Sequence, residues 1–222
     1  MNDHPPSAWQ LAQELGDALP DPAAIPTEAF ALTDAARDLV AAVVATDLEP
    51  AERGRLAGEL TAITAQLRSL TRQPVINLGR HPDGRIENLS QAGSGRLNPH
   101  APELVFDAIE PPDTTDGPVV VEIVARCVLT EAHGGPPERA HGGVVATLLD
   151  ETIGVAATAA GASGMTGGIT IRYRAGTPLH TPLVVRARYV DTDGRKHHAT
   201  GEIRAGDTPT AEAEGLYIAS AR

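Results

Sequence analysis

The run His141-Gly142-Gly143-Val144-Val145-Ala146-Thr147-Leu148-Leu149-Asp150 brings together two things that chemistry at a carbonyl requires. Two glycines open an apolar helical stretch, where backbone N–H groups lack helical partners and attract developing negative charge. Asp150 then stands inside the stretch, and a charged side chain among apolar helical residues is costly unless it is paired or used. A donor and a stranded carboxylate on one element point to attack on a carbonyl whose oxygen gathers charge. Gly142 suits the donor role because a residue without a side chain lets substrate come close. Glu151 adjoins Asp150, but neighbouring helical residues point about a third of a turn apart, so the two acids are not a close pair. His141 is expected to cap the helix or order the turn rather than to shuttle protons.

These residues need a helix and something to hold it. The helix is predicted from about Gly142 to Ala160, with Val144, Val145, Leu148, Leu149, Ile153, Val155 and Ala156 covering most of its circumference. Such a helix is buried. Gly143, Thr147, Asp150 and Gly154 recur at helical spacing as a small, polar stripe that another backbone could approach. From about Glu103 onward the other segments have period two. Val119–Leu129 alternates, as do the runs around Ile169–Tyr173, Leu183–Tyr189, Ala199–Ile203 and Ala211–Tyr217. Half-buried antiparallel strands alternate in this way. Asp193-Gly194 between two runs is a hairpin signal. The expected order is two strands, one long helix and four strands, an α+β arrangement in which a sheet curls around a buried helix.

The earlier part of the chain reads differently. Residues 7–19 carry Trp9, Leu11, Leu15 and Leu19 at roughly helical spacing, and Pro20, Pro22 and Pro26 interrupt them. A second helical run begins at Thr27-Glu28 and a third at Pro50, with Leu56, Leu60, Ile63, Leu67 and Leu70 in rhythm. Helices this short must pack on something. The organisation expected is a helical segment over 1–73, a Gly/Pro/Asn/Ser-rich connection over 74–102 and the α+β domain over 103–222.

Composition narrows the function. A net charge of −11 argues against a general nucleic-acid binder, which needs a basic face, but allows a small anionic ligand held by local arginines. The single Cys127 makes no internal disulfide and reads as a buried small hydrophobe. No zinc, haem or nucleotide-binding pattern is present. His197 and His198 point to opposite faces of a strand and are a poor metal pair, and His133 has no assignable partner. With no apolar run of about 18 or more residues and no signal-like pattern in Met1–Pro6, the expectation is a soluble, cytoplasmic protein without a membrane span.

The segment from Gly135-Pro136-Pro137-Glu138-Arg139-Ala140-His141 through Asp150, followed by Gly154, resembles the signature of hotdog-fold acyl-CoA thioesterases. The likeness is greatest to the phenylacetate-pathway (PaaI-like) group and the mammalian thioesterase-superfamily-member proteins. Met165-Thr166, Arg172-Tyr173-Arg174 and Pro178-Leu179 are similar to the family's second signature, and Asp193-Gly194-Arg195-Lys196 to the hairpin after it. The resemblance covers roughly residues 103–219. It implies an antiparallel sheet wrapping a central helix and a homo-oligomer whose active sites lie between subunits. It implies that Asp150 activates water or attacks the thioester, that Gly142 N–H holds the carbonyl oxygen, and that a Thr166 hydroxyl comes from the opposite subunit. Some members carry Asn or Gln a few residues before the His, and near Gly135 this chain has Gly-Pro-Pro instead.

The reaction implied is hydrolysis of an acyl-CoA to acid and free coenzyme A, with no metal or other cofactor. Candidate substrate contacts are Gly143, Thr147, Glu151, Gly167, Arg174 and Gly176, the last two for the phosphate-bearing part of coenzyme A. Arg172, Arg174, Arg186 and Arg188 are expected on two neighbouring strands, with pairing to Glu202, Glu212 and Glu214 as the competing use of Arg186 and Arg188. Two alternatives stand beside this reading. One is a hotdog hydratase or dehydratase, which would pair His with an acid. The other is a non-catalytic acyl-CoA-binding protein.

Overall fold

The computed structural model describes residues 16–72, 76–82, 84–107, 121–162 and 164–219. The chain forms two compact units, Met1–His100 and Ala101–Arg222.

In the first unit, short 3-10 turns at Gly16–Ala18 and Pro22–Ala24 precede helices α1 (Thr27–Ala45) and α2 (Pro50–Arg68). The helix expected over 7–19 falls largely outside the described residues. Pro50 starts α2 at a position where its missing N–H costs nothing. Arg55 pairs with Glu52 and with Glu59 on the same helix. The apolar stripes of both helices face outward: Leu39, Val43 and Val44 of α1 and Ile63 and Leu67 of α2 are exposed. Within 74–102, strands β1 (Leu78–Arg80) and β2 (Ile86–Asn88) pair antiparallel, so this segment is more than a connection. Arg37 of α1 donates to the carbonyls of Gly95 and Asn98, tying the following loop to the helix.

The second unit holds β3 (Val105–Phe106), β4 (Glu122–Val128), α3 (Gly142–Ala159), β5 (Met165–Tyr173), β6 (Pro182–Asp193), β7 (Lys196–Ala205) and β8 (Thr208–Ile218). Six antiparallel strands pair in the order β3-β4-β6-β7-β8-β5. This is the sheet and helix order read from the sequence. Alternate residues point inward, so Ile123, Ala125, Leu183, Val185, Ala199, Ile203 and Ala211 meet Val145, Leu148, Leu149 and Ile153 of α3 in one core. Burying a Leu or Ile side chain stabilises the fold by roughly 1.5–3 kcal/mol. The two-residue turn between β6 and β7 is Gly194-Arg195, with Gly194 at φ +60° as a turn with glycine first requires.

Two expectations change. Strands β5 and β6 are not neighbours, because β5 pairs with β8 and β6 lies between β4 and β7. Arg172 and Arg174 are therefore separated from Arg186 and Arg188 by two strands. Helix α3, at 18 residues and mean hydropathy 1.2, is long and apolar enough by composition to cross a membrane, although no such run stood out in the sequence. Seven of its residues are buried in the sheet's core.

Candidate active site

The start of α3 is built by a tethered loop. Ala140 N–H donates to Thr177 O, Gly135 N–H to Arg139 O and His141 N–H to His133 O, so the approach to the helix is held from three points. His133, which had no assignable partner in the sequence, accepts from Thr130 N–H at Nδ1 and sits in a capping box. A Cβ at Gly135 would lie 2.7 Å from His141 Cα, which leaves no room there for a polar side chain.

His141 is the helix N-cap. Its Nδ1 accepts from Gly143 N–H at 3.0 Å, the structural role expected of it. Val144 N–H is taken by His141 O. Gly142 N–H thus remains at the helix start with no partner among the described residues, half-exposed, where the helix dipole adds to its attraction for an anion. From β5, the Tyr173 hydroxyl donates to Gly142 O at 2.9 Å and fixes this turn.

Asp150 lies two turns further along, half-buried on α3. Thr166 Oγ1 donates to Asp150 Oδ1 at 2.9 Å. This corrects the expectation of a hydroxyl from an opposite subunit for this contact: β5 returns alongside α3, and its start comes to the helix middle within one chain. Tyr217 of β8 donates to Asp150 O at 2.7 Å, and its hydroxyl is 3.1 Å from Oδ1. Burial, then the Asp150 charge, push the Tyr217 hydroxyl well above its ordinary pKa, so it remains a donor. Asp150 Oδ2 has no partner among the described residues. The stripe of Gly143, Thr147, Asp150 and Gly154 meets a side-chain ring at each of its two glycines. The His141 ring lies against Gly143 and the Tyr217 ring against Gly154.

The remaining candidates scatter. Thr147 Oγ1 donates back to Gly143 O on the same helix. Glu151 is half-buried beside Asp150 and has a partner of its own. Gly167 is the extra residue of a bulge, since Thr166 opposes Tyr217 and Gly168 opposes Leu216. Arg174 is paired with Glu212 at 2.7 Å. Gly176 lies under the side chain of Arg139, which has no acidic partner among the described residues. Arg186 pairs with Glu122 rather than with the acids of β7 and β8. His197 meets Thr192 and His198 meets Asp191, as ordinary sheet residues. Sequence reasoning passed over Tyr217, Tyr173 and Arg139. A signal for Tyr217 existed: a tyrosine at an inward strand position, in a chain with only three, needs a partner for its hydroxyl.

The sequence pattern of the thioesterase superfamily matches residues 138–212, the stretch that carries His141, Gly142, Asp150 and Thr166. A solved structure described as a thioesterase superfamily protein is 30% identical, with a TM-score of 0.72, over 90% of this chain and 93% of its own. Over 86 residues the chain is 33% identical to acyl-coenzyme A thioesterase THEM4 of Xenopus laevis and 35% identical to the protein of that name from Mus musculus. Each match takes in 38% of this chain, and 39% and 37% of the relatives, so well under half of either relative's length is spanned.

Proposed function

The chain belongs to the thioesterase superfamily, and from that premise we propose that it hydrolyses an acyl-CoA thioester to a carboxylic acid and free coenzyme A. The observation that carries this reading is the pair of unused groups on α3: Gly142 N–H at the helix start and Oδ2 of Asp150. The N–H holds the thioester oxygen as charge builds on it, an interaction worth about 3–4 kcal/mol when well placed. Oδ2 either takes a proton from the attacking water or attacks the carbonyl carbon itself, in which case the acyl group is left on Asp150 as an anhydride that water then cleaves to the acid and the free carboxylate. On either route the carbon–sulfur bond breaks and sulfur leaves as thiolate, which is protonated to the free thiol.

Gly142 and Asp150 of one chain are eight residues apart, about 12 Å along the helix axis. One carbonyl group needs its donor and its attacking group within about 3 Å of its own atoms. We therefore assign the two groups at each site to different copies. Strand β5 supports this, being the last strand of the sheet and exposed along most of its length. Its Thr166 end touches Asp150 and its Tyr173 end touches Gly142. Two copies pairing antiparallel along β5, about a two-fold near Ile169 and Thr170, set Thr166 of each opposite Tyr173 of the other. Asp150 of one copy then meets Gly142 of its partner.

The phosphate-bearing part of coenzyme A falls to Arg139 rather than Arg174 in this reading. Arg139 has no acidic partner among the described residues, whereas Arg174 is held by Glu212.

A thiol-release assay over a panel of acyl-CoA substrates, with Asp150→Asn alongside, tests the proposal. Wild type releases thiol from at least one substrate, and the variant loses roughly a hundredfold or more of kcat while keeping its thermal midpoint. An unchanged rate in Asp150→Asn removes the carboxylate from the reaction. Loss of an enoyl substrate with no thiol released would favour a hydratase.

A further inference from the structure

We infer that Tyr217 is a positioning residue for the thioesterase reaction: its hydroxyl and that of Thr166 together hold Oδ1 of Asp150, so that Oδ2 is the oxygen presented to water or substrate. This rests on the thioesterase reading above.

The two hydroxyls come from a single rung of the sheet. Thr166 of β5 and Tyr217 of β8 are directly opposed, and the bulge at Gly167 follows at once. Opposed residues point to the same face, here toward α3. Both hydroxyls reach the same carboxylate oxygen, at 2.9 and 3.1 Å. The Tyr217 hydroxyl has one proton, shared between that oxygen and the Asp150 carbonyl at 2.7 Å. An aspartate has two rotatable side-chain bonds, and without these donors either oxygen can turn outward. With Oδ1 held, the reacting oxygen is chosen before substrate arrives, which is where correct geometry gains most.

The helix is shaped to admit this contact. A Cβ at Gly154 would lie 3.3 Å from the Tyr217 hydroxyl. Mid-helix glycine is unfavourable to helix formation, and here it leaves the space through which the tyrosine reaches Asp150. Tyr217 is itself 5% exposed, so its ring is held firmly in the core and carries the hydroxyl to Asp150.

A merely structural tyrosine, pinning helix to sheet through the carbonyl, predicts that rate follows stability. Tyr217→Phe keeps the ring and removes the hydroxyl. Gly154→Ala keeps the hydroxyl, crowds it and favours the helix. Both are made in the full chain, and kcat, KM and thermal midpoint are measured with the best acyl-CoA substrate. Tyr217→Phe is expected to lower kcat roughly ten- to a hundredfold with KM within about twofold. Gly154→Ala is expected to lower kcat about threefold or more with no fall in midpoint. Wild-type kcat in both variants, or a loss that tracks the midpoint in both, overturns the inference. A crystal structure of Tyr217→Phe reads the positioning itself. Asp150 is expected to turn or occupy two orientations, and an Asp150 unmoved from its bond to Thr166 overturns it. If wild type releases no thiol from any acyl-CoA, the thioesterase reading fails by itself, and the crystallographic comparison still decides the role of Tyr217.

Discussion

Helices α2 and α3 are 19 and 18 residues long, yet none of the α2 residues is buried and seven of the α3 residues are. Helix α2 is supported by its own surface, through Arg55 between Glu52 and Glu59 and through Arg53, which donates to the carbonyls of Leu48 and Thr46. Helix α3 is supported by the sheet, which frees its polar groups for other work. The kind of support decides where chemistry can be placed. A helix gripped on its apolar sides can hold an aspartate at its middle and an open N–H at its start in fixed positions. A helix held by exposed ion pairs gains little from each, because solvent screens them.

Removing a leucine from each helix separates the two kinds of support most. Leu148→Ala in α3 creates a cavity in the core and is expected to cost about 2–5 kcal/mol in chemical denaturation. Leu67→Ala in α2 removes an exposed side chain and should change stability by less than about 0.5 kcal/mol. A Leu67 loss as large as that of Leu148 would mean that the apolar side of α2 is covered in the working molecule.

Much of the second unit was legible in the sequence because its signals are local. The period-two runs marked the strands, the apolar run marked α3, and the stranded charge marked Asp150. His141 was legible as a cap for the same reason. What escaped was the order in which strands pair. A hydrogen-bonded ladder leaves no periodic trace in either strand, so Arg172 and Arg186 looked adjacent when two strands separate them. The same long-range pairing sets Thr166 opposite Tyr217, and hence brings both hydroxyls to one carboxylate. In the first unit, periodicity found α1 and α2 correctly but suggested packed apolar faces, because amphipathic spacing says which side is apolar and not what covers it.

The arginines near the two helices differ as well, with a smaller expected effect. Arg55 on α2 is engaged by two glutamates, whereas Arg139, just before α3, has no acidic partner among the described residues. Arg139→Ala is expected to raise KM for an acyl-CoA about five- to tenfold with kcat little changed, since it removes a charge-assisted contact to phosphate from an exposed position. Arg55→Ala should leave both constants alone. Equal KM values in the two variants would take Arg139 out of the substrate site. A fall in kcat from Arg139→Ala would instead point to its packing on Gly176 as support for the loop before α3.

The smallest expected effect is the response of the two units to pH, in opposite directions. In the first unit, Glu87 is half-buried. Burial alone would raise its pKa, but Arg96 and His81 beside it outweigh that and hold its carboxyl below the usual range. A carboxyl lowered on folding contributes stability above its unfolded value of 4.5, and that contribution is lost as pH falls through the folded one. In the second unit, burial pushes the Cys127 thiol from 9.0 up to about 12 and raises the Tyr217 hydroxyl from 10.0. Groups raised on folding contribute stability that is complete below their unfolded values and is lost as pH rises from there toward the folded ones. Hydrogen exchange followed by region should therefore show the β1–β2 hairpin loosening below about pH 4.5 and the α3 core loosening above about pH 9, because Glu212 of the second unit, lowered by Arg174, is fully exposed and its pair is screened by solvent. Tyr217→Phe should flatten the alkaline limb of the second unit and leave the acid response of the first untouched. If one unit lost protection at both extremes, the two would be sharing a single stability, and the contrast between a helix held by surface charge and a helix held by a core would not govern their response.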